Sequence, residues 1–237
     1  PALTNKTESW NGTNWTEVND LNTTRYYVAG CGADNTSALA FGGRTPPGAS
    51  VANNESWNGS SWTETTDLNT ARRYLAGCGI VTSALATGGN TPPGAKQALN
   101  EQFDGTSWTE VGDLNTARQH LRSAGQTNTS ALAFGGEITN VSALTESWNG
   151  TAFTEVADLG IARAYVAQAG AGNTSALCSG GYAPPSNSTA TEQWTANVPI
   201  GAWATSADMN NSNFGMGGDG TVTTAIASGG ANTPSDK

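Results

Sequence analysis

A single histidine, His120, and three cysteines are all that this 237-residue chain offers toward imidazole or thiolate chemistry. One imidazole cannot build a histidine-based metal site. No Ser or Cys stands beside it in a nucleophile-elbow pattern. An odd cysteine count leaves at least one thiol without an intrachain partner, so no disulfide framework is encoded and the redox compartment stays open. Charge is scarce as well. Only 12% of residues are Asp, Glu, Lys or Arg, and the net charge is -9. That balance excludes a basic footprint for nucleic acid and sets the chain against an anionic membrane surface. No apolar run approaches the roughly 20 residues that span a bilayer, so membrane insertion is not expected. No segment sustains a 3.6-residue apolar period, so almost no helix is expected. No secretory leader is recognisable, and with Pro1 in first place the chain reads as a processed or excised piece. The Asn-x-Ser/Thr triplets, such as Asn11-Gly12-Thr13, are read as chance in a chain this rich in Asn, Ser and Thr.

What is present is a repeat of roughly 46 residues. Glu8-Ser9-Trp10-Asn11-Gly12 returns as Glu55-Ser56-Trp57-Asn58-Gly59, Glu101-Gln102-Phe103-Asp104-Gly105 and Glu146-Ser147-Trp148-Asn149-Gly150. It is weakened in Glu192-Gln193-Trp194-Thr195-Ala196. A second aromatic follows at Trp15, Trp62, Trp108, Phe153 and, after an insertion, Trp203. Then come Asp-Leu (Asp208-Met209 in the fifth copy), an arginine (Arg25, Arg72, Arg118, Arg163; Asn213 in the fifth), Thr-Ser-Ala-Leu and a Gly pair such as Gly42-Gly43. The copies run 8-54, 55-100, 101-145, 146-191 and 192-237, within one domain spanning 1-237.

Each copy reads as four short strands. In the first, these are Tyr26–Cys31, Ser37–Phe41, Glu55–Trp57 and Trp62–Thr65. Gly32 and its equivalents are expected in a turn with positive φ. Asn58-Gly59 is expected to make a hairpin turn, since both residue types tolerate left-handed geometry. The expected architecture is all-β: a five-bladed β-propeller of four-stranded antiparallel blades. The chain starts on third and fourth strands and ends on first and second ones. Ring closure is therefore expected by pairing N-terminal strands (Thr7–Val18) with C-terminal strands (Met216–Gly230). A solenoid of stacked units is the competing architecture. Position 31 is small in four copies (Cys31, Cys78, Ala124, Ala169), as an inner strand near an axis requires, and Asp219 stands there in the fifth.

Arg72, Gly88-Gly89, Glu101, Phe103 and Trp108, in that order, resemble the kelch repeat, and the resemblance covers essentially the whole chain. It departs in using Trp-Asn-Gly where that family has Tyr-Asp-Pro. The near-identity of the copies also resembles repeat proteins of marine bacteria and their phages. Ser56-Trp57-Asn58-Gly59-Ser60-Ser61-Trp62 resembles, one residue short, the Asp-box hairpin of sialidase-type propellers, itself a structural turn. Each likeness implies a propeller.

Two readings compete for the recurring arginines Arg25, Arg72, Arg118 and Arg163. They could grip carboxylate or sulfate groups of a glycan, or each could pair with a glutamate and lock its blade, which is the usual role of a feature present in every copy. His120 replaces Tyr27, Tyr74 and Tyr165 and is read as a packing or rim residue. Asp34, Glu137 and Asp219 break the repeat symmetry, but no catalytic set, metal ligands or cofactor motif emerges. Variable loops on a rigid scaffold are where binding usually resides, and Arg44, Lys96 and Tyr182 stand out in those after the Gly pairs. The expected function is a non-catalytic binding module, extracellular or on a virion surface, that recognises a glycan or protein surface. The alternatives are a purely structural element in contact with other subunits of a phage or cell-surface assembly, and a glycan-processing enzyme.

Overall fold

The computed structural model describes residues 5–196 and 201–231. The described chain is all-β without helices, and its strands pair antiparallel throughout. Four of its sheets are four-stranded, and each adds its strands in chain order. The first sheet is Ala29–Asp34, Ser37–Phe41, Asn54–Trp57 and Trp62–Glu64. The second begins Ala76–Ile80, Ser83–Thr87, the third Arg122–Thr127, Ser130–Phe134, and the fourth Ala167–Gly172, Ser175–Ser179. Second and third strands keep one register from sheet to sheet, with Ala38 opposite Trp57, Ala84 opposite Phe103, Ala131 opposite Trp148 and Ala176 opposite Trp194. Trp194 also faces Trp203 across the fourth sheet, which confirms Trp203 as the fifth copy's second aromatic.

Second-strand leucines and third-strand aromatics point to opposite faces, so each four-stranded sheet buries residues on both sides. Leu39 and Phe41 of the first sheet pack against Ala84, Ala86, Phe103 and Trp108 of the second. The same interface recurs between the later sheets. Each leucine sealed in this way contributes about 1.5–3 kcal/mol. Asp67 accepts the Asn54 N–H at 3.1 Å and Asp158 the Thr145 N–H at 3.0 Å, so the recurring aspartate starts the third strand while the leucine after it is buried.

First strands of successive sheets lie side by side, and the last hairpin's Gly217–Thr221 follows them in the same order. Together they surround a cavity of about 820 Å³ lined by Cys31, Cys78, Ala124, Ala169 and Asp219. The small residues expected beside an axis therefore do share one space. Burial pushes the Cys78 thiol up to about 12, which makes it an inert small hydrophobe.

Three local expectations are corrected. The first strand begins at Ala29, because Tyr27 adopts φ 57° and cannot extend it. Gly32 lies inside a strand, where an added Cβ would stand 2.5 Å from the Ser37 carbonyl oxygen. Close backbone approach, not a turn, selects glycine there; its equivalents Gly79, Gly170 and Gly220 also lie inside strands but do carry the expected positive φ, at 108, 141 and 117°. In the Asn58-Gly59 hairpin only the glycine is left-handed, at φ 89°. The Asn58 side chain instead accepts the Ser60 and Ser61 N–H groups, both at 2.9 Å.

The chain's two ends behave differently from its middle. Thr7–Trp10 and Trp15–Val18 form one two-stranded sheet, and Gly217–Thr221 and Thr224–Ser228 form another. No ladder joins the two among the described residues.

Candidate functional site

The recurring arginines are structural. Arg25, Arg72, Arg118 and Arg163 are at most 4% exposed and pair with Glu55, Glu101, Glu146 and Glu192. Arg72 donates to Glu101 at 2.8 Å and to the carbonyls of Gly88 at 2.7 Å and Leu99 at 2.8 Å. Its own carbonyl accepts the Gly43 N–H of the preceding sheet at 2.8 Å, and those of Arg118 and Arg163 accept the Gly89 and Gly136 N–H in the same way, so these three arginines each staple two sheets. Burial lowers the pKa of Arg25, Arg72 and Arg118, opposed by the paired glutamate, and all stay cationic. The structure turns these four side chains inward, out of reach of an external ligand.

At the entrance to the first strands, Tyr27, Tyr74, His120 and Tyr165 share one unusual backbone conformation, with φ between 55 and 59°. Bulky residues rarely sit there, and the surrounding structure must hold them in place. A chain of backbone bonds does so: Tyr74 N–H to Tyr27 O at 3.4 Å, His120 to Tyr74 at 2.9 Å, Tyr165 to His120 at 3.2 Å and Gly215 to Tyr165 at 2.9 Å. The rings pack as an arc, tilted against one another by 51, 56 and 31°, with centroids 4.4, 4.1 and 4.1 Å apart. This packing explains His120, which takes a tyrosine's seat.

Two symmetry-breaking residues meet in this arc. Glu137 Oε2 lies 3.0 Å from His120 Nδ1 and 3.2 Å from Gln119 Nε2. The hydrogen bond from His120 is the main reason that the Glu137 carboxyl is held down at about 2. Burial lowers the His120 pKa and outweighs the nearby carboxylate. A neutral imidazole therefore carries its proton on Nδ1 and donates it to ionised Glu137. Tyr165 also bonds to Glu137, and its phenol pKa is raised, first by burial and then by that carboxylate.

Arg122 escaped the sequence reading, although it was visible as the one charge at the position of Ala29, Ala76, Ala167 and Gly217. It reaches from the third sheet to donate to Val166 O at 3.0 Å and Met216 O at 3.2 Å, bridging three copies beneath the arc. Burial lowers its pKa.

The loop residues flank the same end. Tyr26 and Arg44 are paired across an isolated bridge, as are Gln119 and Glu137, and Ala164 and Tyr182. Arg44 lies over the Tyr26 ring at 5.7 Å and donates to Gly48 O at 2.8 Å. Lys96 pairs with Asn90 in a short ladder and is close enough to His120 to lower its pKa electrostatically. Asp34 and Asp219 sit at the first strands' other end and along the central cavity. No group of His, Cys, Asp and Glu among the described residues is arranged to hold a metal. No family model matches the chain, and neither does any curated protein.

Proposed function

We propose that the chain is a closed five-bladed propeller of kelch-like repeats. It acts as a non-catalytic binding module, outside the cell or on a virion surface, and takes up a glycan at the end where the aromatic arc and unequal loops converge. The single observation behind this reading is that convergence. Residues that build the scaffold recur from copy to copy and are buried in the four-stranded sheets, whereas Arg44, Lys96, Glu137 and Tyr182 differ from copy to copy and gather around one rim.

Ring closure rests on the shared register. Applied to the ends, it sets Ala225 opposite Trp10 and Ile226 opposite Ser9. Trp15 is 49% and Ile226 47% exposed, while a cavity of about 350 Å³ lies between Leu177, Ser179, Ala225 and Ala227. The corresponding space beside the first sheet holds Phe103 and Trp108. Closure moves Trp10 and Trp15 into that cavity and protects the exposed edge.

Removing residues 1–18 is expected to abolish cooperative unfolding, followed by circular dichroism. A truncated chain that melts like the intact one would sink the closed ring. On a glycan array, binding should be lost in an Arg44→Ala/Lys96→Ala double variant. Binding that survives it, or glycosidase or lyase turnover by the intact protein, would overturn the functional reading.

A further inference from the structure

The aromatic arc has a fifth seat without a side chain. Gly215 follows Tyr165 in the chain of backbone bonds, at the repeat position of Tyr27, Tyr74, His120 and Tyr165, and its φ of 68° matches theirs. Among the described residues, nothing stands within 4 Å of a Cβ built there, and Gly215 is exposed. Four copies thus spend backbone strain to present a ring, while the fifth keeps the backbone and omits the ring. The conformation does not require glycine here, since three tyrosines and a histidine adopt it. The arc ends at Tyr165 beside this seat, with the buried Phe214 ring edge-on to it at 6.0 Å, and, at its other end, at Tyr27, 49% exposed. In the closed ring of the proposed function, on which this inference rests, Tyr27 comes to the far side of the same seat.

We propose that the Gly215 seat binds one neutral pyranose ring, sandwiched between Tyr165 and Tyr27. The size follows from what is missing: one six-membered ring. The chemistry follows from the walls. The C–H face of a pyranose is apolar with positive hydrogens, complementary to the negative faces of the flanking tyrosines. Its hydroxyls are donors, and the arc holds a charged acceptor in Glu137, ionised and bonded to His120 and to Tyr165, one wall of the seat. A phenyl ring would meet the same walls but bring no donor for these oxygens. The arc is rigid before binding, because each ring is held against the next, so little side-chain entropy is lost on association.

The test is saturation-transfer NMR and calorimetry with methyl α- and β-hexopyranosides (gluco, galacto and manno), and with phenol as the rival probe. Wild-type protein should bind at least one pyranoside. Gly215→Tyr places a tyrosine at a φ that Tyr27 and Tyr165 already adopt, so it should fold, with a small loss of melting temperature from backbone strain, and lose at least tenfold in affinity. Gly215→Ala leaves the seat open and should stay within about threefold. Tyr27→Leu removes one wall and should lose at least tenfold, an independent check should Gly215→Tyr fail to fold. Undiminished pyranoside binding in Gly215→Tyr or Tyr27→Leu overturns the seat, and so does preference for phenol. If wild type binds glycans on the array and Gly215→Tyr binds them equally, the seat falls and the binding-module reading stands. If wild type binds neither array glycans nor pyranosides, both fall.

Discussion

Leu85, Leu132 and Leu177 in the complete sheets are between 0 and 9% exposed, whereas Ile226, at the same repeat position, is 47% exposed. Glu101 is 1% exposed and gripped by Arg72, while Glu8, its counterpart in the first hairpin, is solvent-exposed. The sequence around each pair is nearly the same. What differs is the number of strands at hand. A sheet of four covers its neighbour's aromatics and encloses its own arginine. A lone hairpin can do neither and is marginal in water by itself. Repeat chemistry is therefore conditional: the same Glu-x-Trp segment is structural where a second strand and an arginine meet it, and idle where they do not.

The sharpest way to break this comparison is to strip one partner from a sealed pair. Arg72→Ala leaves Glu101 buried and unpaired and should cost ~3–5 kcal/mol in denaturant titration, whereas Glu8→Ala should cost under ~1 kcal/mol. Equal costs would mean that the ends are as sealed as the middle. A smaller effect, of opposite sign, is expected from restoring the missing arginine. Asn213 stands where the other copies have arginine, and its buried Oδ1 has no partner among the described residues. In a closed ring Asn213→Arg should meet Glu8 and gain ~1 kcal/mol, and Glu8→Ala in the same background should erase the gain. A gain that persists without Glu8 would disprove that meeting.

The smallest effect is a pH dependence confined to the arc. His120 titrates below its ordinary 6.5 and Glu137 at about 2 instead of 4.5. Both shifts are depressions, so in both cases the unfolded chain binds protons that the folded one refuses. Stability is full above 6.5 and falls on acidification: His120 alone acts between 6.5 and 4.5, and Glu137 joins below 4.5. His120→Tyr, which restores the residue of three other copies, should flatten the change in melting temperature between pH 6.5 and 5. If the slope is unchanged, His120 is not its source.

Much of the scaffold was readable in the chain. Thr-Ser-Ala-Leu marked the second strands, Ser37–Phe41 among them to the residue, and Cys31, Cys78, Ala124 and Ala169 were readable as small because they share a central space. Their signals are local, carried by period-two burial and by turn residues next to the strands they join. The start of the first strand was not readable, because nothing in a Tyr-Tyr or Gln-His dipeptide announces a left-handed φ. That conformation is imposed by the neighbouring copies through backbone bonds. Arg122 was missed for a related reason. Its partners, Val166 and Met216, lie 44 and 94 residues away, and no local pattern joins them.

By itself, then, the sequence determined the repeat, the all-β class and the order of strands in each sheet, because these follow from spacings and patterns that recur along the chain; which glutamate each arginine meets, always one in the following copy, was left to the structure. Only the tertiary structure decided that the arginines are sealed from solvent, that Glu137 reaches His120, and that four aromatic residues form an arc ending at Gly215. Each of these depends on distances between copies, set by how sheets pack face to face, and packing is a property of the neighbours as much as of the residue.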